Sequence, residues 1–143
     1  QGRVKVRVVD HLTQEGARQF TSDGSGPALI ELVTHAPIDI SRETNGDVLL
    51  LVTMRYDEQA SAPIKFSMRC GPGCGGEIAP GGLNALNVGQ WQTVGMSLKC
   101  FDNAGADVSK LTAPFQISTT GSVKFSLSRV AVGTVADTIL ECE

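Results

Sequence analysis

Val94, Met96 and Leu98 alternate with Gly95, Ser97 and Lys99 inside the stretch Gly89–Phe101. A period of two is what a strand with one buried face requires, so GQWQTVGMSLKCF reads as one strand of a β-sandwich. Val4, Val6 and Val8 alternate with Lys5 and Arg7 in the same way, and the chain begins with a strand that has one wet face. Between Thr13 and Gly26 the residues are polar except for Ala17 and Phe20, with room for a short strand around Arg18–Thr21. Ala28–Val33 is the next strand candidate. Pro37–Gly46 carries turn chemistry in Asp39, Ser41 and Asn45-Gly46 and predicts a long connection.

Val48 to Val52 is apolar without alternation, the pattern of a central strand covered on both faces. Ile64, Phe66, Met68 and Cys70 then alternate with Lys65, Ser67 and Arg69, giving a half-buried strand that ends at a glycine-rich loop, with Lys65 and Arg69 toward solvent. Phe115–Ser118 and Val123–Val132 complete the set. The apolar phase of the last one shifts between Leu127 and Val130, which a β-bulge explains. Asn84-Ala85-Leu86 and Ser109-Lys110-Leu111 offer single helical turns, too short to stand alone. Strands at this spacing, punctuated by Gly and Pro, predict an all-β domain, a sandwich or jelly roll.

Composition narrows the function classes. At 143 residues, 41% hydrophobic and 19% charged, residues 1–143 fit a single globular domain with a sizeable core. The net charge of -3, without a basic block, argues against nucleic acid as a partner. The longest apolar run, Val48–Val52, is far short of the roughly 20 residues of a membrane-spanning helix, so no membrane role is expected. The start, QGRVKV, has no Met and no leader pattern, which reads as a segment of a longer protein whose secretion signal lies outside it. Four cysteines allow three pairings. Cys70 and Cys74, separated by Gly71-Pro72-Gly73, can close on each other and would suit an oxidising compartment. Cys100 and Cys142 either form a second bridge or remain buried thiols.

The chemical motifs are weak ones. Gly71-Pro72-Gly73-Cys74-Gly75-Gly76 matches G-x-G-x-x-G in form, but Glu77-Ile78-Ala79-Pro80 cannot open the helix on which a pyrophosphate would rest, and no cofactor is implied. Zinc would need a second close ligand pair besides Cys70 and Cys74; Cys100, His11 and His35 do not supply one. A structural calcium ion is the better metal candidate, with Asp10, Glu15, Asp137 and Glu141 near the two ends, although no ligand loop is recognisable. No nucleophile elbow is present, and neither His lies in a nucleophile motif. The chain holds seven aromatics, too few for a flat platform once the core is filled. Regular alternation puts Trp91 opposite the row of Val94, Met96 and Leu98, yet packing is the usual fate of a lone Trp.

Read together, APIDISRETNGDVLLLVTMRYD, FSMRCGPGCGG, GQWQTVGMSLKCF and LTAPFQISTTGSVKFSLSRVAV resemble the extra C-terminal domain of bacterial glycoside hydrolase family 3 enzymes, from about Val4 to Val132. The resemblance implies a galactose-binding-like β-sandwich, appended to the catalytic domains of a secreted or periplasmic exo-1,3/1,4-β-glucanase or β-glucosidase. It implies no catalytic residue in this segment. The expected role is a non-catalytic accessory domain that docks on and supports the catalytic domains of the same polypeptide. The alternative is a carbohydrate-binding module for soluble β-1,3/1,4-glucan chains, with Trp91, Tyr56 and the 70–76 loop as candidate contacts.

Overall fold

The computed structural model of the protein describes residues 4–11, 14–26, 28–32, 34 and 36–142, and side chains from Arg18 onward except at 27, 33, 35, 84 and 85. Over these residues the chain forms β1 (Val4–His11), β2 (Gln14–Asp23), β3 (Ala28–Leu32), α1 (Ser41–Asn45), β4 (Leu49–Glu58), β5 (Lys65–Arg69), β6 (Gly75–Ile78), a 3-10 turn (Gly81–Ala85), β7 (Gln92–Ser97), α2 (Leu98–Asn103), β8 (Ala113–Thr119), β9 (Ser122–Gly133) and β10 (Thr138–Ile139). Six strands form one sheet in the order β1-β2-β9-β4-β7-β10, and four form a second in the order β3-β8-β5-β6. Every pairing between these strands is antiparallel except that of β10 with β7.

The core lies between the sheets. Leu50, Val52, Met54 and Tyr56 of β4 and Val94 and Met96 of β7 meet Phe66 and Met68 of β5 and Phe115 and Ile117 of β8, all buried. Ring contacts link Phe20 to Phe125 at 5.4 Å within the large sheet and Phe66 to Phe115 at 6.1 Å within the small one. β4 is central, as its apolar run predicts, and its outer face is less fully covered than its core face: Leu49 is buried there, whereas Leu51, Thr53, Arg55 and Asp57 are half-buried.

The predicted bulge is present. Thr53 pairs with Arg129 and Met54 with Leu127, so Ser128 is the extra residue. It keeps Phe125 and Leu127 before it, and Val130 and Val132 after it, on one face.

Three expectations need correction. β2 runs ten residues, well beyond Arg18–Thr21, because it pairs with β1 on one side and β9 on the other and needs no apolar pattern of its own. The Pro37–Gly46 connection contains α1, held to the body by Ile40 N donating to Val108 O at 2.8 Å and by paired bonds between Ile38 and Leu111. The strand in GQWQTVGMSLKCF stops at Ser97, whose side chain accepts from Lys99 N, and α2 follows with Leu98 and Phe101 on its buried side.

Both disulfides are formed, Cys70–Cys74 and Cys100–Cys142, with Cα separations of 5.0 and 5.5 Å. Thiolate ligation of zinc is thereby removed, since all four sulfurs are bonded. The glycines of the G-x-G-x-x-G stretch serve geometry. Gly71 and Gly73 take φ of 118° and 69° in the tight loop, and a Cβ on Gly76 would overlap the carbonyl of Phe101. β6, a strand, begins at Gly75 where the dinucleotide fingerprint needs a helix.

The Cys100–Cys142 bridge ties residues 42 apart and the Cys70–Cys74 bridge residues four apart. Chain-entropy arithmetic assigns about 4 kcal/mol to the first and about 2 kcal/mol to the second. The Cys100→Ala/Cys142→Ala variant is therefore expected to melt lower than Cys70→Ala/Cys74→Ala in calorimetry; the reverse order would refute loop length as the deciding factor.

Candidate functional site

The outer face of the six-stranded sheet carries the main cluster of interacting polar side chains, and strand alternation puts it there. Once Met54 and Tyr56 point into the core, Thr53 and Arg55 must point out. Thr53 opposes Thr93 of β7, and their hydroxyls lie 2.8 Å apart. Trp91, two residues before Thr93, shares this side, and the Arg55 guanidinium carbon lies 5.1 Å from its ring centroid. This is cation–π geometry, worth about 0.5–1 kcal/mol at a partly exposed site.

Arg55 also holds a carboxylate. Its Nε donates to Asp57 Oδ1 at 2.5 Å, while Asp57 Oδ2 accepts from Ser126 Oγ at 2.6 Å and from Gln19 Nε2 at 2.8 Å. One carboxylate thus joins β4, β9 and β2. Burial works against the Asp57 charge, but the bonds from Ser126, Gln19 and Arg55, together with the Arg55 charge, outweigh it and hold the carboxyl below its ordinary range. Ser126 is fully buried beneath the cluster and Gln19 nearly so.

Trp91 and Tyr56 fall on opposite sides of the sheet. Trp91 is half-buried under Arg55 on the outer face, whereas Tyr56 is 1% exposed in the core. Tyr56 therefore presents no ring to a sugar, which corrects its place among the candidate contacts. Its hydroxyl has no hydrogen-bond partner among the described residues, and burial pushes the phenol well above its usual range. The 70–76 loop belongs to the small sheet, at the β5–β6 turn, apart from the cluster.

Of the residues considered for metals, Asp137 accepts from Thr93 N at 2.8 Å and Glu141 is exposed. The side chains of Asp10, Glu15 and His11, and the whole of His35, lie outside the described residues. Among the described residues no three His, Cys, Asp or Glu side chains are grouped for a metal ion. Nor is any described helix long and apolar enough to cross a membrane.

Arg55, Asp57, Gln19 and Ser126 escape a sequence reading because Gln19 and Asp57 are 38 residues apart and Ser126 lies 69 beyond Asp57. The one available signal was Arg55 and Asp57 in alternation with Met54 and Tyr56, two charges on the wet face of a central strand.

Two variants test this geometry. The Asp57 carboxyl titrates lower folded than unfolded, so its contribution is complete above about pH 4 and disappears as pH falls through the folded value. Asp57→Asn is expected to lower stability at neutral pH and to flatten the decline below about pH 4 in urea melts; parallel pH profiles for both proteins would contradict it. Tyr56→Phe is expected to leave stability unchanged or raise it by up to about 1 kcal/mol, since it removes an unbonded buried hydroxyl. A loss above about 1 kcal/mol would show that the hydroxyl is bonded.

With the sandwich and its outer cluster in view, its relatives can be placed. The Exop_C family model, described as galactose-binding domain-like, matches residues 1–132. The exo-1,3/1,4-beta-glucanase from a Pseudoalteromonas species superposes with a TM-score of 0.71 at 16% identity, covering 98% of this chain and 17% of that one. The extra C-terminal domain (X) of that enzyme gives 0.73 at 17% identity, covering 96% of this chain and 75% of that one. An agarase gives 0.63 at 10% identity, covering 91% and 23%. No curated protein sequence matches. At these identities the structural likeness establishes the fold, and this chain spans only about a sixth of the glucanase. The family model and the superpositions bear out the motif resemblance: the chain belongs to the Exop_C family of galactose-binding-like domains.

Proposed function

We propose that residues 1–143 act as one non-catalytic accessory domain of a secreted or periplasmic family 3 β-glucan exo-hydrolase or β-glucosidase, docking on its catalytic domains and supporting them in carbohydrate degradation. The observation that carries this reading is the placement of the aromatics. Five of the seven are buried, Phe20 is half-buried and packs on the core, and Trp91 is half-buried beside Arg55, so the domain has no row of exposed rings on which a sugar chain could stack. Exposed apolar surface is instead aliphatic, with Val135 at 81% and Ile139 at 60% exposure, which suits contact with another protein surface. The small share of the glucanase that this fold occupies fits an appended domain, and two disulfides suit an oxidising compartment.

A second reading, a carbohydrate-binding module for soluble β-1,3/1,4-glucan, draws on one observation: Trp91 lies on the outer sheet face beside Arg55 and Asp57, a mixture of ring and polar groups that can hold a sugar if Arg55 swings aside. Calorimetric titration with laminari- and cello-oligosaccharides separates the two. No heat up to millimolar sugar is expected, together with lower activity and a lower melting temperature when this segment is deleted from the longer polypeptide. Saturable binding that Trp91→Ala abolishes would replace the docking role with the carbohydrate-binding one.

A further inference from the structure

Within the six-stranded sheet, β2 follows β9 from Asp23 opposite Ser122 to Arg18 opposite Leu127 and then parts from it. β4 stays with β9 as far as Gly133. The parting coincides with the bulge at Ser128. Beyond it, over Arg129–Gly133, β9 has β4 on one side and, among the described residues, no strand on the other. A row of backbone N–H and C=O groups without ladder partners among the described residues is thus presented from an interior strand of the sheet, with the same chemistry that invites strand addition at a sheet edge.

The side chains beside this gap suit the same guest. Val130 and Val132 lie opposite Val52 and Leu50 and share their face, toward the small sheet, yet Val132 is 49% exposed. Next to them, between the sheets, runs a groove of about 270 Å3 lined by Phe20, Leu32, Phe115 and Leu127, with Arg18 and Arg129 among its walls. Leu32, from the edge strand β3, is also 49% exposed. Arg129 is exposed and has no ion-pair partner among the described residues.

We propose that the unpaired edge of β9 at Arg129–Gly133, with the groove beside it, receives an extended acidic–apolar segment of the catalytic polypeptide by strand addition. Backbone groups along β9 call for a peptide, since a sugar or lipid cannot continue a ladder. The apolar groove takes alternate side chains of that peptide, and Arg129 selects a carboxylate. Five residues of free edge, about 17 Å, match a strand of common length. The source is the rest of the longer chain, which in the glucanase of like fold makes up most of the molecule. This inference rests on the docking role and specifies where and how it is carried out.

Residue-resolved amide exchange, comparing the 143-residue chain with the longer polypeptide that contains it, tests the assignment. The amides of Arg129–Gly133 that point away from β4 are expected to exchange quickly in the 143-residue chain and at least about 100-fold more slowly in the longer one. Arg129→Glu, an exposed substitution, is expected to reduce that added protection about tenfold without moving the melting temperature of the 143-residue chain. Equal exchange at these amides, with new protection at Val135–Ile139 or elsewhere, would overturn the strand-addition assignment and leave docking intact. No new protection anywhere would overturn both. Protection that rises with concentration in the 143-residue chain alone would overturn the assignment in favour of a second copy as the guest.

Discussion

The pairing of β4 with β9 is the constraint on which the remaining architecture rests. β4 has β7 on its other side and supplies Leu50, Val52, Met54 and Tyr56 to the core, so its orientation decides what the large sheet buries. β9 can match it only through the extra residue Ser128. In an unbroken alternation Phe125 and Leu127 would share a face with Arg129 and Ala131, and Val130 and Val132 would turn outward. The bulge therefore keeps Leu127 and Val130 packed against the core, at the cost of a locally disrupted ladder. The same alternation places Thr53, Arg55 and Asp57 on the outer face.

That dependence explains what the sequence made legible. Strands whose apolar residues recur every second position, β1, β5 and β8 among them, could be recognised from local pattern alone, and so could the bulge, because it leaves a phase error between Leu127 and Val130. β2 could not, since its two ladders stabilise a strand of Gln, Thr and Ser without an apolar stripe. α2 was hidden for another reason: Leu98 and Cys100 continue the period of two set by Val94 and Met96, and only Ser97 as a cap and Phe101 at the helical spacing from Leu98 separate the two readings. β10, two residues paired in parallel with β7, carries no pattern at all. Glycine spacing brought Cys70 and Cys74 together, while nothing local could decide a partner 42 residues from Cys100.

The candidate site was legible in direction and not in composition. Alternation from Val94 fixed the outward side for Trp91, and there it lies. Tyr56 fails by the same rule, because it is in phase with Val52 and Met54 and must turn inward. The Asp57 network draws Arg55 and Asp57 from β4, Ser126 from β9 and Gln19 from β2, a juxtaposition only the sheet order creates. A carboxylate with three donors is already satisfied, which makes it a structural tie first and a ligand contact only if a donor is displaced.

The position of that tie bears on the open edge. Gln19 and Arg55 both pair with Ser126, and Asp57 bonds all three, so the clamp closes across β2, β9 and β4 just before the bulge at Ser128. A bulge weakens local pairing and increases twist. With the clamp on its near side, β2 stays in register up to Leu127; beyond the bulge β2 pairs, among the described residues, with β1 alone, through Ala17 opposite Val9 and Gln14 opposite His11. Clamp and bulge together therefore set where the sheet opens. The short ladder on the far side is a built feature of the sandwich, with an apolar groove beneath it and a cationic side chain at its margin.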